Sequence, residues 1–112
     1  MPKGMKMGGR MMDPMGDPRS RFFMALASDQ RLRILNLLKE GPKNSQDIID
    51  DLGLDPSVIS RHLMMLRNVG LVSAYKEGAI LFFRIDDERI FKIIDLATEI
   101  TKDWLSKIQN SF

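Results

Sequence analysis

Apolar side chains recur from Arg21 onward at the three- and four-residue spacing that is typical of α-helices. This spacing predicts three helices in the first half of the chain, each bounded by residues that commonly cap or stop a helix. Their predicted limits are Arg21 and about Ala27 for the first, Ser28 or Asp29 and Gly41-Pro42 for the second, and Asn44 or Ser45 and Gly53 for the third. Phe22, Phe23 and Leu26 form an apolar patch on the first helix, and Leu32, Leu35 and Leu38 recur at helical spacing along the second. The side chains of the third helix that are expected to face inward are Ile48, Ile49 and Leu52.

A fourth helix is predicted to begin at Asp55 and Pro56. Aspartate is a common helix cap, and proline is tolerated at the first helical position because its missing N–H has no partner there. The inner stripe of this helix is Ile59, Leu63, Leu66 and Val69. Because only Gly53 and Leu54 separate it from the third helix, the pair predicts a helix-turn-helix.

A β-hairpin and a long last helix are predicted to follow. Leu71–Lys76 and Ala79–Ile85 are rich in strand formers and flank Glu77-Gly78, which is a plausible two-residue turn. After Asp86–Glu88, the last helix has one apolar stripe, formed by Ile90, Ile93, Ala97, Ile100, Trp104 and Ile108. The predicted fold class is therefore mainly α with a small β-hairpin wing (α+β), a winged helix-turn-helix.

Composition limits the kinds of function that are open to the chain. We expect a chain of 112 residues to form one small domain, which a partner subunit would help to stabilise. The chain has no cysteine, and His62 is its only histidine, so we expect no enzyme, no cofactor and no thiolate metal site. A lone histidine is expected to make a structural hydrogen bond or a phosphate contact. The longest apolar run, Ala79–Phe83, is too short to cross a membrane, and the first residues lack a signal peptide's apolar core, so we expect a cytoplasmic protein.

Residues 1–20 are rich in methionine, glycine and proline, and we interpret them as a flexible basic arm ahead of a domain of residues 21–112. Residues 1–21 contain five basic and two acidic side chains, whereas residues 22–85 contain eight and seven. Soft thioether ligands favour cuprous ion, so one alternative is a metal-responsive arm. Its ligands would be Met5, Met7, Met12 and Met15. The simpler interpretation is an arm without metal.

The outer face of the fourth helix is predicted to present Ser57, Ser60, Arg61 and Met64, with Val58 near its edge. An arginine can contact both guanine acceptors in the major groove, serines can bond to base edges or phosphates, and valine can contact a thymine methyl group. A helix N-terminus also favours nearby phosphates. The alternative is an ordinary solvated helix face, but the hairpin that follows favours recognition of double-stranded DNA.

Several motifs, in this order and spacing, resemble the ArsR/SmtB winged-helix transcription regulators. They are Leu26–Leu35, Ser57–Leu63, Leu66-Arg67 and Gly70–Val72. The resemblance implies a repressor that pairs through its first and last helices and binds an inverted-repeat operator with two recognition helices. Carried over by position, it implies DNA contacts from Ser45, Gln46, Ser57, Ser60, Arg61 and Lys76. The side chains expected at the homodimer interface are Phe22, Ile93, Ala97, Ile100, Trp104 and Ile108.

The chain also departs from that family. Asn44 and Gln46 occupy the places where metal-sensing members often have a cysteine pair, and the last helix has no histidine. We therefore predict that the thiolate metal-sensing site is absent. Met64 and Ala79 replace residues that are often basic in the family, which reduces the expected contact with phosphates. Because the charges of residues 22–85 nearly cancel, a second alternative is a winged-helix dimer that binds another protein.

Overall fold

The computed structural model describes residues 16–111, which form five helices and one three-stranded antiparallel sheet. The elements are α1 (Pro18–Leu26), α2 (Asp29–Leu38), β1 (Lys43–Asn44), α3 (Ser45–Leu52), α4 (Pro56–Asn68), β2 (Val72–Glu77), β3 (Ile80–Ile85) and α5 (Ile90–Asn110). The predicted winged helix-turn-helix is confirmed. The cuprous ligands proposed for the arm, Met5, Met7, Met12 and Met15, lie outside the described residues.

The start of α1 differs from the prediction. The Asp17 carboxylate accepts a hydrogen bond from the Arg19 backbone N–H at 2.8 Å, and Pro18 occupies the first helical position. The helix therefore begins before Arg21, and the predicted start was wrong. Hydrophobic spacing could not reveal this first turn of α1, because it contains a proline and polar residues rather than large apolar side chains.

The ends of α2 and α3 follow the predicted local chemistry. The Ser28 hydroxyl and the Asn44 side-chain carbonyl each accept a hydrogen bond from the backbone N–H three residues further on, at 3.2 and 2.8 Å. Gly53 ends α3 with φ +69° and ψ +26°, a left-handed conformation that glycine adopts at low cost. Asp55 lies at the cap position of α4, but its side chain makes no capping hydrogen bond.

The core lies between the helices and the inner face of the sheet. Its buried side chains are Ile34, Leu35, Leu38, Ile48, Leu52, Ile59, Leu63, Leu66, Leu71, Val72, Phe83 and Ile90. Leu32 belongs to the apolar spacing that predicted α2 but is 37% exposed, whereas Ile34, outside that spacing, is buried. At about 100° per residue, Ile34, Leu35 and Leu38 share roughly one third of the circumference of α2, and Leu32 lies beyond its edge.

The sheet has the strand order β1-β3-β2. Because Glu77 pairs with Ile80, the two-residue turn is Gly78-Ala79 rather than the predicted Glu77-Gly78. Gly78 has φ +65°, and a glycine at the first loop position is typical of a type II′ hairpin turn. The strand β1 was not predicted, since two residues are too few to show an alternating pattern. None of the described helices is long and apolar enough to cross a membrane.

Replacement of Leu66 by alanine should test the buried face of α4. Leu66 has no exposed surface, whereas the adjacent Met65 is 40% exposed. Leu66→Ala is expected to lower the free energy of unfolding by about 2–5 kcal/mol because it leaves a cavity. Met65→Ala should change it by less than about 1 kcal/mol. Urea unfolding at one fixed protein concentration measures both, and equal losses would contradict the described packing.

Candidate nucleic-acid interface

Helix α4, the predicted recognition helix, has one buried face and one exposed face. Ile59, Leu63 and Leu66 are buried. The opposite face exposes the predicted DNA-contacting side chains Ser57, Ser60 and Arg61, together with Met64, while Val58 is half-buried at its edge. The packing of α4 thus brings its predicted DNA-contacting side chains onto one exposed surface. A short turn joins α3 to α4, as in a helix-turn-helix.

Arg61 is the cation in the N-terminal half of this exposed face, whereas the exposed Arg67 lies in the last turn of α4. Within residues 16–111 the Arg61 guanidinium makes no hydrogen bond or ion pair with another side chain or carbonyl. Its N–H groups can therefore donate to an acceptor outside the domain. A planar guanidinium in this state can offer two parallel hydrogen bonds to an external acceptor such as guanine or phosphate.

The predicted contacts from α3 lie in different surroundings. Ser45 is half-buried, and the exposed Gln46 donates a hydrogen bond from Nε2 to Oδ1 of Asp50 at 2.8 Å. Asp47 and Asp51 are also exposed on this short helix. A phosphate could use the second N–H of Gln46 Nε2 only beside several carboxylates, so α3 is electrostatically less suited than α4 to bind DNA.

The β2–β3 hairpin places Lys76 near its tip. Lys76 is exposed and pairs with Leu81 across the hairpin. Because side chains alternate along a strand, Lys76 lies on the same face as Val72 and Ala74, which pack into or against the core. Lys76 therefore extends from the side of the hairpin that faces the helices. It lies on a different element from the exposed face of α4, as a wing contact would require.

The other face of the hairpin is aromatic and largely satisfied by internal contacts. The rings of Tyr75 and Phe82 are stacked with centroids 5.6 Å apart. The Arg84 guanidinium lies 5.2 Å from the centre of the Tyr75 ring, and its Nε donates to the Ser73 hydroxyl at 3.4 Å. These contacts hold Arg84 against the sheet, so Lys76 is the better candidate for a DNA contact from the wing.

His62 makes the structural hydrogen bond that was one of its two predicted roles. Its Nδ1 lies 3.1 Å from a terminal nitrogen of Arg31. Partial burial lowers the pKa of His62 below its usual 6.5, and the positive charges of Arg31 and Arg61 lower it further. Sequence reasoning assigned no role to Arg31. The two residues are 31 positions apart, so no local spacing connects them.

A second exposed surface is apolar and runs along α5 and α1. Its large side chains with more than one third of their surface exposed are Phe23, Met24, Ile93, Leu96, Ile100, Trp104, Leu105 and Ile108. Of the predicted interface residues, Ala97 is exposed as well, whereas Phe22 is half-buried against the core. A cleft lined by Phe22, Ile90 and Ile93 joins α1 to the start of α5. Sequence reasoning missed Phe23, Met24, Leu96 and Leu105 as members of this surface.

The described part of the chain contains no grouping of three or more histidine, aspartate or glutamate side chains that could hold a metal ion. The candidate surfaces of residues 16–111 are the polar exposed face of α4, Lys76 on the hairpin and the apolar surface of α1 and α5.

Comparison with known families places these features in a wider group. The model of the bacterial regulatory proteins of the arsR family matches residues 28–74, from the cap of α2 into β2. A protein of Streptomyces lividans named a probable mercury resistance operon repressor is 32% identical over 87 residues, which are 78% of this chain and 70% of that protein. An uncharacterized HTH-type transcriptional regulator of Methanocaldococcus jannaschii is 40% identical over 82 residues, which are 72% of this chain and 92% of that protein.

A solved structure extends the similarity beyond the matched segment. The solution structure of a homodimeric winged helix-turn-helix DNA-binding domain of Mycobacterium bovis, described as a possible ArsR-family transcriptional regulator, has a TM-score of 0.75 with this chain at 27% identity. The match covers 96% of this chain and 95% of that domain. It therefore includes the first and last helices as well as the helix-turn-helix and the wing.

Proposed function

The chain belongs to the arsR family of bacterial regulatory proteins, and from this membership we propose that it is a repressor that binds an inverted-repeat operator as a homodimer. It is a transcriptional regulator with a DNA-binding winged helix-turn-helix, and its relatives and fold are those of regulators rather than enzymes. One observation supports the finer proposal best. The Arg61 guanidinium makes no hydrogen bond within the described residues and lies among short polar side chains on the exposed face of α4. A cytoplasmic location is part of the proposal, because the operator is there.

In the proposed complex, α4 enters the major groove with its N-terminal half toward the bases. Arg61 donates to O6 and N7 of a guanine, and Ser57 and Ser60 bond to base edges or phosphates. Val58, at the edge of the exposed face, contacts a thymine methyl group. These are the same side chains that the packing of α4 leaves outside the core, so binding requires no rearrangement of the helix.

Phosphate contacts make a smaller contribution in this proposal. Lys76 contacts the backbone from the wing as a point charge, and Ser45 and Gln46 add at most weak contacts from α3. Since Met64 and Ala79 are uncharged, few counterions are released on binding. Affinity should then depend only weakly on salt and more strongly on base sequence.

Homodimer formation would cover the apolar surface of α1 and α5. From Asp95 to Asn110 every residue of α5 is exposed, including large apolar side chains that a lone subunit would leave in water. The similar domain of M. bovis is a homodimer. Two-fold pairing presents two copies of α4 in opposite directions, and that arrangement matches an inverted repeat.

The proposed regulator does not sense metal through thiolates. The relative from S. lividans is named for mercury resistance, but none of the 112 residues of this chain is cysteine. A thiolate is the ligand type that selects soft metal ions most strongly. A metal ion that released this protein from DNA would therefore have to be bound by ligands other than cysteine.

Arg61 provides the most direct test of base recognition. Arg61→Ala should weaken binding to a duplex selected from random DNA by about 1–3 kcal/mol, with little change on an unselected duplex, because the lost contact is to a base. Arg61→Lys keeps the charge without the two-pronged contact and should lose a similar preference. Fluorescence anisotropy measures the affinities.

Two control variants complete this test. Lys76→Ala should weaken both duplexes alike, as expected for a phosphate contact. Arg33→Ala removes an exposed arginine of α2 that is hydrogen-bonded to Gln30 and should leave both affinities unchanged. Equal losses on the two duplexes for Arg61→Ala would show that Arg61 does not read bases.

Trp104 tests the proposed dimer surface. A glutamate at this position would place a charge in the middle of the apolar stripe, so Trp104→Glu should sediment as a monomer at concentrations where the unmodified chain is a dimer. Lys102→Glu is the matched control, because residue 102 lies about 160° around α5 from Trp104. A Trp104→Glu chain that remains dimeric would place the interface elsewhere.

A further inference from the structure

The Arg31 guanidinium joins three elements of the domain. Its Nε donates to the carbonyl oxygen of Ala25 at 2.6 Å, and one terminal nitrogen donates to the carbonyl oxygen of Met24 at 3.3 Å. Both carbonyls lie at the C-terminal end of α1, where the negative end of the helix dipole favours a cation. The other terminal nitrogen lies 3.1 Å from His62 Nδ1 on α4. Three different nitrogens of one side chain on α2 thus connect α1 to the recognition helix.

The chemistry of the pair fixes the state of the histidine. A guanidinium has only N–H donors, so Nδ1 of His62 must be the acceptor and must have no proton. The ring is then neutral, with its proton on Nε2. A second proton on Nδ1 would remove the acceptor and place a cation against Arg31.

Within the described residues, this bond is the one directional side-chain contact of the recognition helix with another element. Within residues 16–111, no other side-chain hydrogen bond joins α4 to another element. The remaining contacts of α4 are apolar, through Ile59, Leu63 and Leu66. Apolar contacts are non-directional, so they bury a face without setting the rotation of the helix as sharply as a hydrogen bond does.

We propose that Arg31 is a positioning residue for DNA recognition, which acts through His62 to hold α4 at a fixed rotation relative to α1. The proposal rests on the proposed function, because α4 is taken as the recognition helix and α1 as part of the dimer surface. Arg61 is the neighbour of His62 in the chain, so a small rotation at His62 displaces the side chain that is proposed to contact guanine. Exposed Phe23 and Met24 on α1 connect the same link to the subunit pairing.

Acidification should break this link. The charged groups that act on His62 are Arg31 from α2 and Arg61 from α4 itself, and α1 contributes the two carbonyls that hold Arg31. Burial and these two cations hold the pKa of His62 below 6.5. The link is therefore complete above pH 6.5 and is lost as the pH falls through the lower pKa of the folded chain.

The test compares variants of the full chain on selected and unselected duplexes at about pH 8 and at the lower pH where the imidazole nitrogen chemical shifts of the unmodified chain show that His62 is protonated. Arg31→Lys keeps the charge but has one nitrogen in place of three, and His62→Phe keeps a ring but has no acceptor. His62→Asn retains an oxygen near the position of Nδ1 and does not titrate. Arg33→Lys is the matched control on the exposed side of α2. Imidazole nitrogen chemical shifts report the tautomer of His62 without DNA.

At the higher pH, Arg31→Lys and His62→Phe should lose on the order of tenfold in affinity for the selected duplex and little for the unselected one. Acidification should cause a similar loss in the unmodified chain and in Arg33→Lys, but not in His62→Asn. The unmodified chain should show an unprotonated Nδ1.

Three results would overturn the proposal: a folded Arg31→Lys that keeps its preference, a protonated Nδ1 at the higher pH, or tighter binding in acid, which would indicate that His62 contacts phosphate. A chain that prefers no duplex would instead show that the proposed function is wrong, and the positioning role would fail with it.

Discussion

Ile59, Leu63 and Leu66 are buried on one side of α4, and the orientation of the recognition helix depends on their burial. Removal of each such side chain from water stabilises the fold by about 1.5–3 kcal/mol. Because an α-helix advances about 100° per residue, the same packing directs Ser57, Ser60 and Arg61 outward. A rotation large enough to bury Arg61 would expose core side chains and enclose an unpaired charge. Hydrophobic packing of α4 therefore exposes the face that is proposed to bind DNA, and the Arg31–His62 hydrogen bond adds the finer directional constraint.

Most of α5, in contrast, leaves its large apolar side chains exposed to water. Ile90 is buried in the core, whereas the large apolar side chains from Leu96 to Ile108 are exposed. One helix thus completes the core of its own subunit at its start and needs a second surface over the rest of its length. Pairing of two copies would satisfy this need and would also set the distance and direction between two recognition helices. Stability and operator symmetry are then consequences of one contact surface.

Sequence patterns predicted the elements whose polar and apolar residues are clearly separated. The buried and exposed faces of α4 follow from helical spacing alone, and the caps at Ser28 and Asn44 follow from local hydrogen-bonding chemistry. The predicted hairpin turn began one residue too early, because either Glu77 or Ala79 can share a two-residue turn with Gly78. Only the pairing of the two strands decides between them. The contact between Arg31 and His62 could not be predicted, because it joins polar residues that only the packing of three helices brings together.

Selection of bound duplexes from random DNA by the full chain tests the central claim, that a two-fold pair of recognition helices reads an inverted repeat, most directly. The enriched sequences should contain two copies of one short site in opposite orientation, with centres about one helical turn, or 10–10.5 base pairs, apart. Guanine should be fixed within each half-site, as expected for Arg61. Enrichment of a single unrepeated site, or no enrichment over the starting pool, would contradict that claim.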